Sequence, residues 1–239
     1  MHDFWSASLN LGTDTSRRTS FSINGDHSRA IDDSSRYSSI KGLARLRFSN
    51  RFSLSSETSY ETLANNLQYV ATADSGAGAR WLLGRLEQDT WSFTFRANLS
   101  ITPDLTIQYY GSPFISAGRY KDLKRATDTL AQRYRDRFHA FSPDEITFQP
   151  DSNSYIVSEG AGAALYSFSN PDFSFRQFRS NLVVRWEYRP GSTLYVVWSQ
   201  GRTGFEPHWD SAFSSNWSAL WRERPDNVFL VKLSYWFSP

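Results

Sequence analysis

The chain has 239 residues, 26 basic and 24 acidic side chains, a net charge of +2 and no cysteine. That balance gives no general nucleic-acid signature, and the missing thiols exclude disulfides and thiolate metal sites. Aromatic residues reach 16% while all hydrophobic residues total only 39%, and no apolar run approaches the ~18 residues of a membrane-spanning helix. A chain of this kind can span lipid only as a closed barrel.

Met1-His2-Asp3-Phe4-Trp5 carries no basic segment followed by an apolar core, so no signal peptide is visible. An outer-membrane protein needs one, and the expectation is that the true N-terminus lies upstream and that this chain is a fragment of a larger barrel. Period-2 alternation then recurs along the chain, the mark of a strand with two different faces. Trp5, Ala7, Leu9 and Leu11 alternate with serine and asparagine, as do Phe21 and Ile23. Ile40, Ala44, Leu46 and Phe48 alternate with Lys41, Arg45 and Arg47, and Phe52 and Leu54 lead a strand whose other face has Ser53, Ser55 and Glu57. Segments near 66–73 and 80–87 are predicted strands of ambiguous phase. From Trp91 to Ile101 the odd positions are all apolar and the even ones all polar. Leu105, Ile107 and Tyr109 follow the same rule. Leu182, Val184, Trp186 and Tyr188 oppose Arg179, Asn181, Arg185 and Glu187; 193–202 is apolar on both faces near Val196-Val197; and Phe229, Val231, Leu233, Tyr235 and Phe237 close the series. About eleven strands result.

The pattern predicts an all-β, antiparallel up-and-down transmembrane barrel over 1–239, in the bacterial outer membrane. Tight turns at 12–15, 49–51, 75–79, 102–104 and 189–192 are assigned to the periplasmic end, and connections at 25–38, 61–65, 87–90, 113–173 and 204–226 face outward. Within 113–173, a long extracellular loop insertion, Leu123, Ala126, Leu130, Tyr134 and Phe138 recur at spacings of three and four and predict a short amphipathic helix. The glycine–alanine runs 75–79 and 159–163 read as flexible turns.

Several separated blocks resemble a known family: Leu86-Glu87-Gln88-Asp89-Thr90-Trp91, Gln108 to Phe114, Gly118-Arg119-Tyr120, Trp186 to Thr193, and the ending Asn227 to Phe237. The chain is similar, from about Asn65 onward, to the C-terminal barrel region of bacterial outer-membrane proteins known as a domain of unknown function, whose longer members carry an N-terminal family 9-type carbohydrate-binding domain. The resemblance implies location, architecture and a link to glycans; it supplies no catalytic residues. Phe237 fits the aromatic-ended strand that the barrel-assembly machinery engages, although Ser238 and Pro239 follow it.

No catalytic, cofactor or metal site is expected. His2, His27, His139 and His208 are scattered, and no HExxH, GxSxG or phosphate-loop motif occurs, so the chain reads as a non-enzyme. Arg45, Arg47, Glu57, Arg96, Arg179, Arg185 and Glu187 are the candidate lumen-lining residues. They either select solutes by charge or pair across the lumen and brace it. Trp209, Trp217, Trp221 and Asp210 are the candidate ligand-loop residues, open to two readings: sugar rings stacking on tryptophan, or rings packing the loop against the rim. Expected partners are outer-membrane lipid, the assembly machinery via the last strand, and glycans, with no nucleic acid. The predicted function is a channel or transport barrel, or a membrane-anchored glycan-associated binding protein. The alternative is a soluble β-sandwich carbohydrate-binding module.

Overall fold

The computed structural model describes residues 3–31, 34–74, 78–158, 160 and 165–237, the side chains of 134 and 135 apart. The chain is all-β and antiparallel. Six strands follow one another as a meander: β1 (Phe4–Gly12), β2 (Thr19–Ala30), β3 (Ser35–Arg47), β4 (Phe52–Asp74), β5 (Ala79–Thr102) and β6 (Leu105–Ala126). A short β7 (Phe138–Ala140) pairs with the far end of β6, and β8 (Ile146–Gln149), β9 (Ser154–Ser158) and β10 (Leu165–Ser169) make a separate three-stranded sheet. The chain then returns beside β6 as β11 (Phe173–Arg189) and continues through β12 (Ser192–Glu206), one helix α1 (Phe213–Arg222) and β13 (Asp226–Ser234). Among the described residues β1 and β13 do not pair with each other, so the sheet is open at both edges.

The count of eleven strands is therefore corrected to nine along the path of the main sheet, with the short β7 as a tenth beside β6. The reason is length: β4, β5 and β6 run 23, 24 and 22 residues. Residues 61–65 and 87–90, expected as outward connections, lie inside β4 and β5 and are paired throughout. With that pair of turns removed, the β4–β5 connection falls at the opposite end of the sheet from the turns at 49–51 and 102–104, and its assignment to the periplasmic end is overturned. Ser75 to Ala77, like Glu159 and Ala161 to Ala163, lie outside the described residues. The turns between β1 and β2, β3 and β4, β5 and β6, and β11 and β12 share one end; the connection expected over 25–38 shrinks to a short β2–β3 link at the other end, because 25–30 and 35–38 belong to β2 and β3. The long connections 127–172 and 207–225 share the other.

The helix predicted over Leu123 to Phe138 is not formed. Leu123 and Ala126 belong to β6, Phe138 opens β7, and only a single 3₁₀ turn spans Tyr134–Arg137. The helix sits instead in the 204–226 connection, read as a loop, where Phe213, Trp217, Leu220 and Trp221 fall at i, i+4, i+7 and i+8 and form one apolar stripe.

Strand register merges the separate alternations into two continuous faces. Leu9 pairs with Gly25, Gly25 with Ile40, and Ile40 with Tyr60. Tyr60 pairs with Trp91, which opposes Ile115. Further down, Leu99, Ile107, Val184, Val196 and Val231 form one row across five strands. Partners in a row share a side of the sheet, so every apolar set named above lies on one face. Each face of the sheet is covered differently. At the end with the long connections, Ala73 and Leu82 on the other, polar face pack against Val157, Tyr166 and Phe168 of the small sheet and form the buried core. On the apolar face α1 lies across β5, β11 and β12.

Candidate functional site

All seven charged candidates project from the polar face. Arg45 and Arg96 stand in one row, Ser20–Arg45–Ser55–Arg96–Tyr110–Asn181–Ser199, that crosses seven strands. Arg47 lies one step away opposite Ser53, which pairs with Asn98. Glu57 opposes Leu43 and Thr94, Arg179 opposes Ser112, and Arg185 opposes Thr106. Glu187 opposes Thr193 just before a bulge.

The two readings of these charges divide among them. Glu57 receives Lys41 at 2.5 Å, and Glu187 receives Arg185 at 2.8 Å, so four charges brace neighbouring positions in ion pairs. Lys41 was not among the candidates; its diagonal offset from Glu57 across β3 and β4 is what brings it in. Arg45, Arg47, Arg96 and Arg179 form no ion pair among the described residues, and Arg96 instead lies over the Tyr110 ring at 5.3 Å. Arg45 and Arg47 join Arg17 and Arg18, from the β1–β2 turn, around a cleft of about 230 Å³ floored by Ser55 and Asn98. Among the described residues no carboxylate lines that cleft, and the acidic neighbour of Arg17, Asp14 at 3.8 Å, stands outside it on the turn. Four converging guanidinium groups with so little counter-charge favour an anion over a cation at this end of the polar face. The face is not uniformly polar: Val183, Val197 and Leu230 form one row of it toward β13.

The loop candidates lie on the opposite, apolar face and are built into the fold. Trp217 meets Phe93 edge-on at 5.5 Å, Phe213 lies 5.2 Å from Trp91, and Trp221 tilts over Phe178 at 4.8 Å. Trp209 is stacked by the Arg119 guanidinium, 4.3 Å from the ring centre. The Asp210 carboxylate accepts the Ala212 N–H at 2.8 Å ahead of α1. The Ser215 side chain and that N–H hold it below the usual carboxylate range. These contacts match the packing reading: the rings fasten the loop to the strands.

Beneath the helix sits a polar core that the alternation pattern did not reveal. Arg176, buried in β11, donates to Glu206, Glu223 and the buried Asn216. Ser174 donates to the His208 carbonyl and accepts the Asp210 N–H, and Arg202 donates to the carbonyls of Trp221 and Glu223 at the helix C-terminus. A cation there satisfies open carbonyls and complements the helix dipole. Arg176 stands at the parity of Leu182, Val184 and Trp186 in β11, and a charge on that face was the available signal. The histidines stay dispersed: His27 bonds to Ser38, His139 to Glu145, and His208 pairs with Glu206.

No curated protein matches the chain. Among solved structures it is similar to the alcaligin outer-membrane receptor FauA from Bordetella pertussis, at 12% identity and a TM-score of 0.43, over 97% of this chain and 38% of that one. A family model, the domain of unknown function DUF5916, matches residues 1–238. The chain belongs to that family.

Proposed function

We propose that this chain forms part of the wall of a bacterial outer-membrane β-barrel, non-enzymatic, whose polar face lines a path favouring anionic solutes. The observation that carries this reading is the uncovered apolar face. Leu9 is 60% exposed, Ile40 55% and Phe229 72%, in a continuous surface across nine strands. Water would penalise such a surface, whereas lipid stabilises it. The band has membrane dimensions. From Tyr188 to Phe178 is ten residues, about 33 Å along the strand and about 23 Å in height at a 45° tilt, against an outer-membrane apolar band of ~25 Å. Aromatic residues bound it on both sides, Trp186 and Tyr188 below and Phe93 and Phe178 above, as interfacial girdles do. The end where every connection is short is assigned to the periplasm, and the end that carries both long connections, 127–172 and 207–225, faces outward. A barrel in lipid leaves no free edge, so closure pairs β1 and β13 with further strands.

The four unpaired arginines support the anion preference. The glycan link that the resemblance implies makes acidic sugars the first solutes to test. The test has two stages. The full-length protein should partition with outer membranes and show heat-modifiable gel migration; recovery from the aqueous phase without detergent would overturn the barrel. In planar bilayers its reversal potential should then favour chloride over potassium, and Arg45→Gln with Arg47→Gln should lower that ratio. An unchanged ratio, or cation preference, would remove the arginine cleft from the path.

A further inference from the structure

Above the apolar band, the lipid-facing side changes character in a fixed order. Phe93 and Trp91 carry α1, and the next outward-pointing positions of β5 are Asp89, Glu87 and Arg85, with Ala117, Arg119 and Lys121 opposite them on β6. Glu87 alone receives Arg85 at 3.2 Å, Arg119 at 3.0 Å and Lys121 at 2.8 Å. Asp89, the next carboxylate on that face, is taken by the Tyr60 hydroxyl at 2.9 Å. Beyond a bulge at Asp122, Lys124 faces Leu83 and is offset by Asp122 itself. Three cations therefore share one carboxylate in ion pairs, each with 27–40% of its side chain accessible, while Asp172, bound to the Tyr120 N–H, acts on Arg119 without an ion pair and leaves the set net positive. Trp209 braces the Arg119 guanidinium from the side of α1.

We infer that Arg85, Arg119 and Lys121 form a shelf that binds the phosphate groups of an anionic outer-leaflet lipid whose acyl chains lie on the apolar band below. This rests on the barrel reading. From Trp91 to Glu87 is four residues, about 13 Å along the strand and about 9 Å in height at a 45° tilt. One headgroup layer is roughly 5–8 Å thick, the margin between a ~30 Å core and a 40–45 Å bilayer. Acyl-facing band, aromatic helix and cationic shelf thus follow the sequence of chain, interface and phosphate in such a lipid. A guanidinium and an ammonium held side by side suit phosphate oxygens, and the fixed Glu87 pre-orients them without neutralising the set.

The test uses native mass spectrometry of the full-length detergent-solubilised protein with a diphosphorylated lipid A-type glycolipid, its dephosphorylated counterpart, or inorganic phosphate. The wild type should retain the phosphorylated lipid. Arg119→Gln with Lys121→Gln should weaken retention about tenfold or more, since each cation near an anionic surface contributes about 1 kcal/mol. Glu87→Gln, which frees the same cations, should strengthen it, and Arg45→Gln with Arg47→Gln on the opposite face should leave it unchanged. Equal retention of both lipids, equal retention by the double variant, or displacement by millimolar inorganic phosphate would each overturn the inference. Heat-modifiable migration, recorded on every variant, reports separately on the barrel.

Discussion

Replacing Val184 by arginine should destabilise the protein in lipid by about 2–4 kcal/mol, while the same change at Val183 should cost less than about 0.5 kcal/mol. The two valines are adjacent in β11 and identical in chemistry, so propensity and side-chain entropy cancel in the comparison. What differs is the face. Val184 stands in the apolar row with Ile107 and Val196, and Val183 in the row with Gln108 and Val197. Depth sets the magnitude. The band runs from Tyr188 to Phe178, so its centre lies at residue 183 and Val184 sits one residue from it, about 2 Å in height at a 45° tilt. An arginine there has ~10 Å of hydrocarbon above and below, and snorkelling recovers only part of the loss. Trp186→Arg, nearer the periplasmic edge, should cost about 0–1 kcal/mol from charge alone, plus the lost girdle ring. Equilibrium unfolding in guanidinium from lipid vesicles, followed by tryptophan fluorescence, measures all three. Equal costs at 183 and 184 would refute the facial assignment, and equal costs at 184 and 186 would refute the band.

Arg176→Leu should loosen the 207–225 connection, because it leaves Glu206 and Glu223 facing each other beneath α1. Breaking a buried pair costs about 3–5 kcal/mol, and the partial exposure of both glutamates brings the expectation nearer 2; trypsin cleavage after Arg222 should become faster, and an unchanged rate would show that the aromatic rings alone hold the helix. Glu87 titrates at about 2 instead of 4.5, with Lys121 first and Arg119 and Arg85 after it favouring its charged form. A depressed carboxylate stabilises the fold fully above pH ~4.5 and loses that contribution as pH falls toward 2. The stability difference between wild type and Glu87→Gln, read by acid unfolding, should therefore be flat above pH 5 and shrink below it; a difference growing toward low pH would be incompatible with the cation cluster.

How far the sequence reveals this fold depends on where a strand sits. Over 91–101 the apolar and polar sides keep one sign for the whole run; over 179–189 and 229–234 the apolar side keeps its phase while Val183 and Leu230 interrupt the polar side, and 235–237 fall beyond the end of β13 at Ser234. All seven charged candidates share a face for the same reason: register carries the parity of one strand into the next. Helix and strand were confused where period could not decide. Leu123, Ala126 and Leu130 satisfy a helical spacing, yet Leu123 is held in β6 by the pairing of Lys121 and Lys124 with β5 on either side of it and by packing under the small sheet. Conversely, Phe213, Trp217, Leu220 and Trp221 satisfy it too, in a segment assigned to an outward loop. Tertiary contact separated the two cases, and nothing local in the residues did.

The false breaks at 61–65 and 87–90 have a different and more informative cause. Along β5 the odd residues Trp91, Phe93 and Phe95 are apolar and the even ones polar. Nearer the outer end the even residues Leu82 and Leu86 are buried, and the odd residues Arg85, Glu87 and Asp89 are charged. The strand itself does not break. Its alternation changes sign, because the face that meets apolar surroundings switches. Below Trp91 the apolar surroundings lie outside the sheet. Above it they are supplied on the inner side by Val157, Tyr166 and Phe168, while the outer side turns to water and charge. A turn and a sign change look alike in a period-2 pattern, since each shifts the phase by one residue. They differ in the residues at the shift: a turn brings a cluster of glycine, proline, asparagine, aspartate or serine, and 86–90 has Asp89 alone and 61–65 Asn65 alone. A phase inversion without a cluster of turn residues thus marks the height at which a long strand leaves the apolar band. In β5 it falls at Asp89, between the row that anchors α1 and the row that carries the cationic shelf.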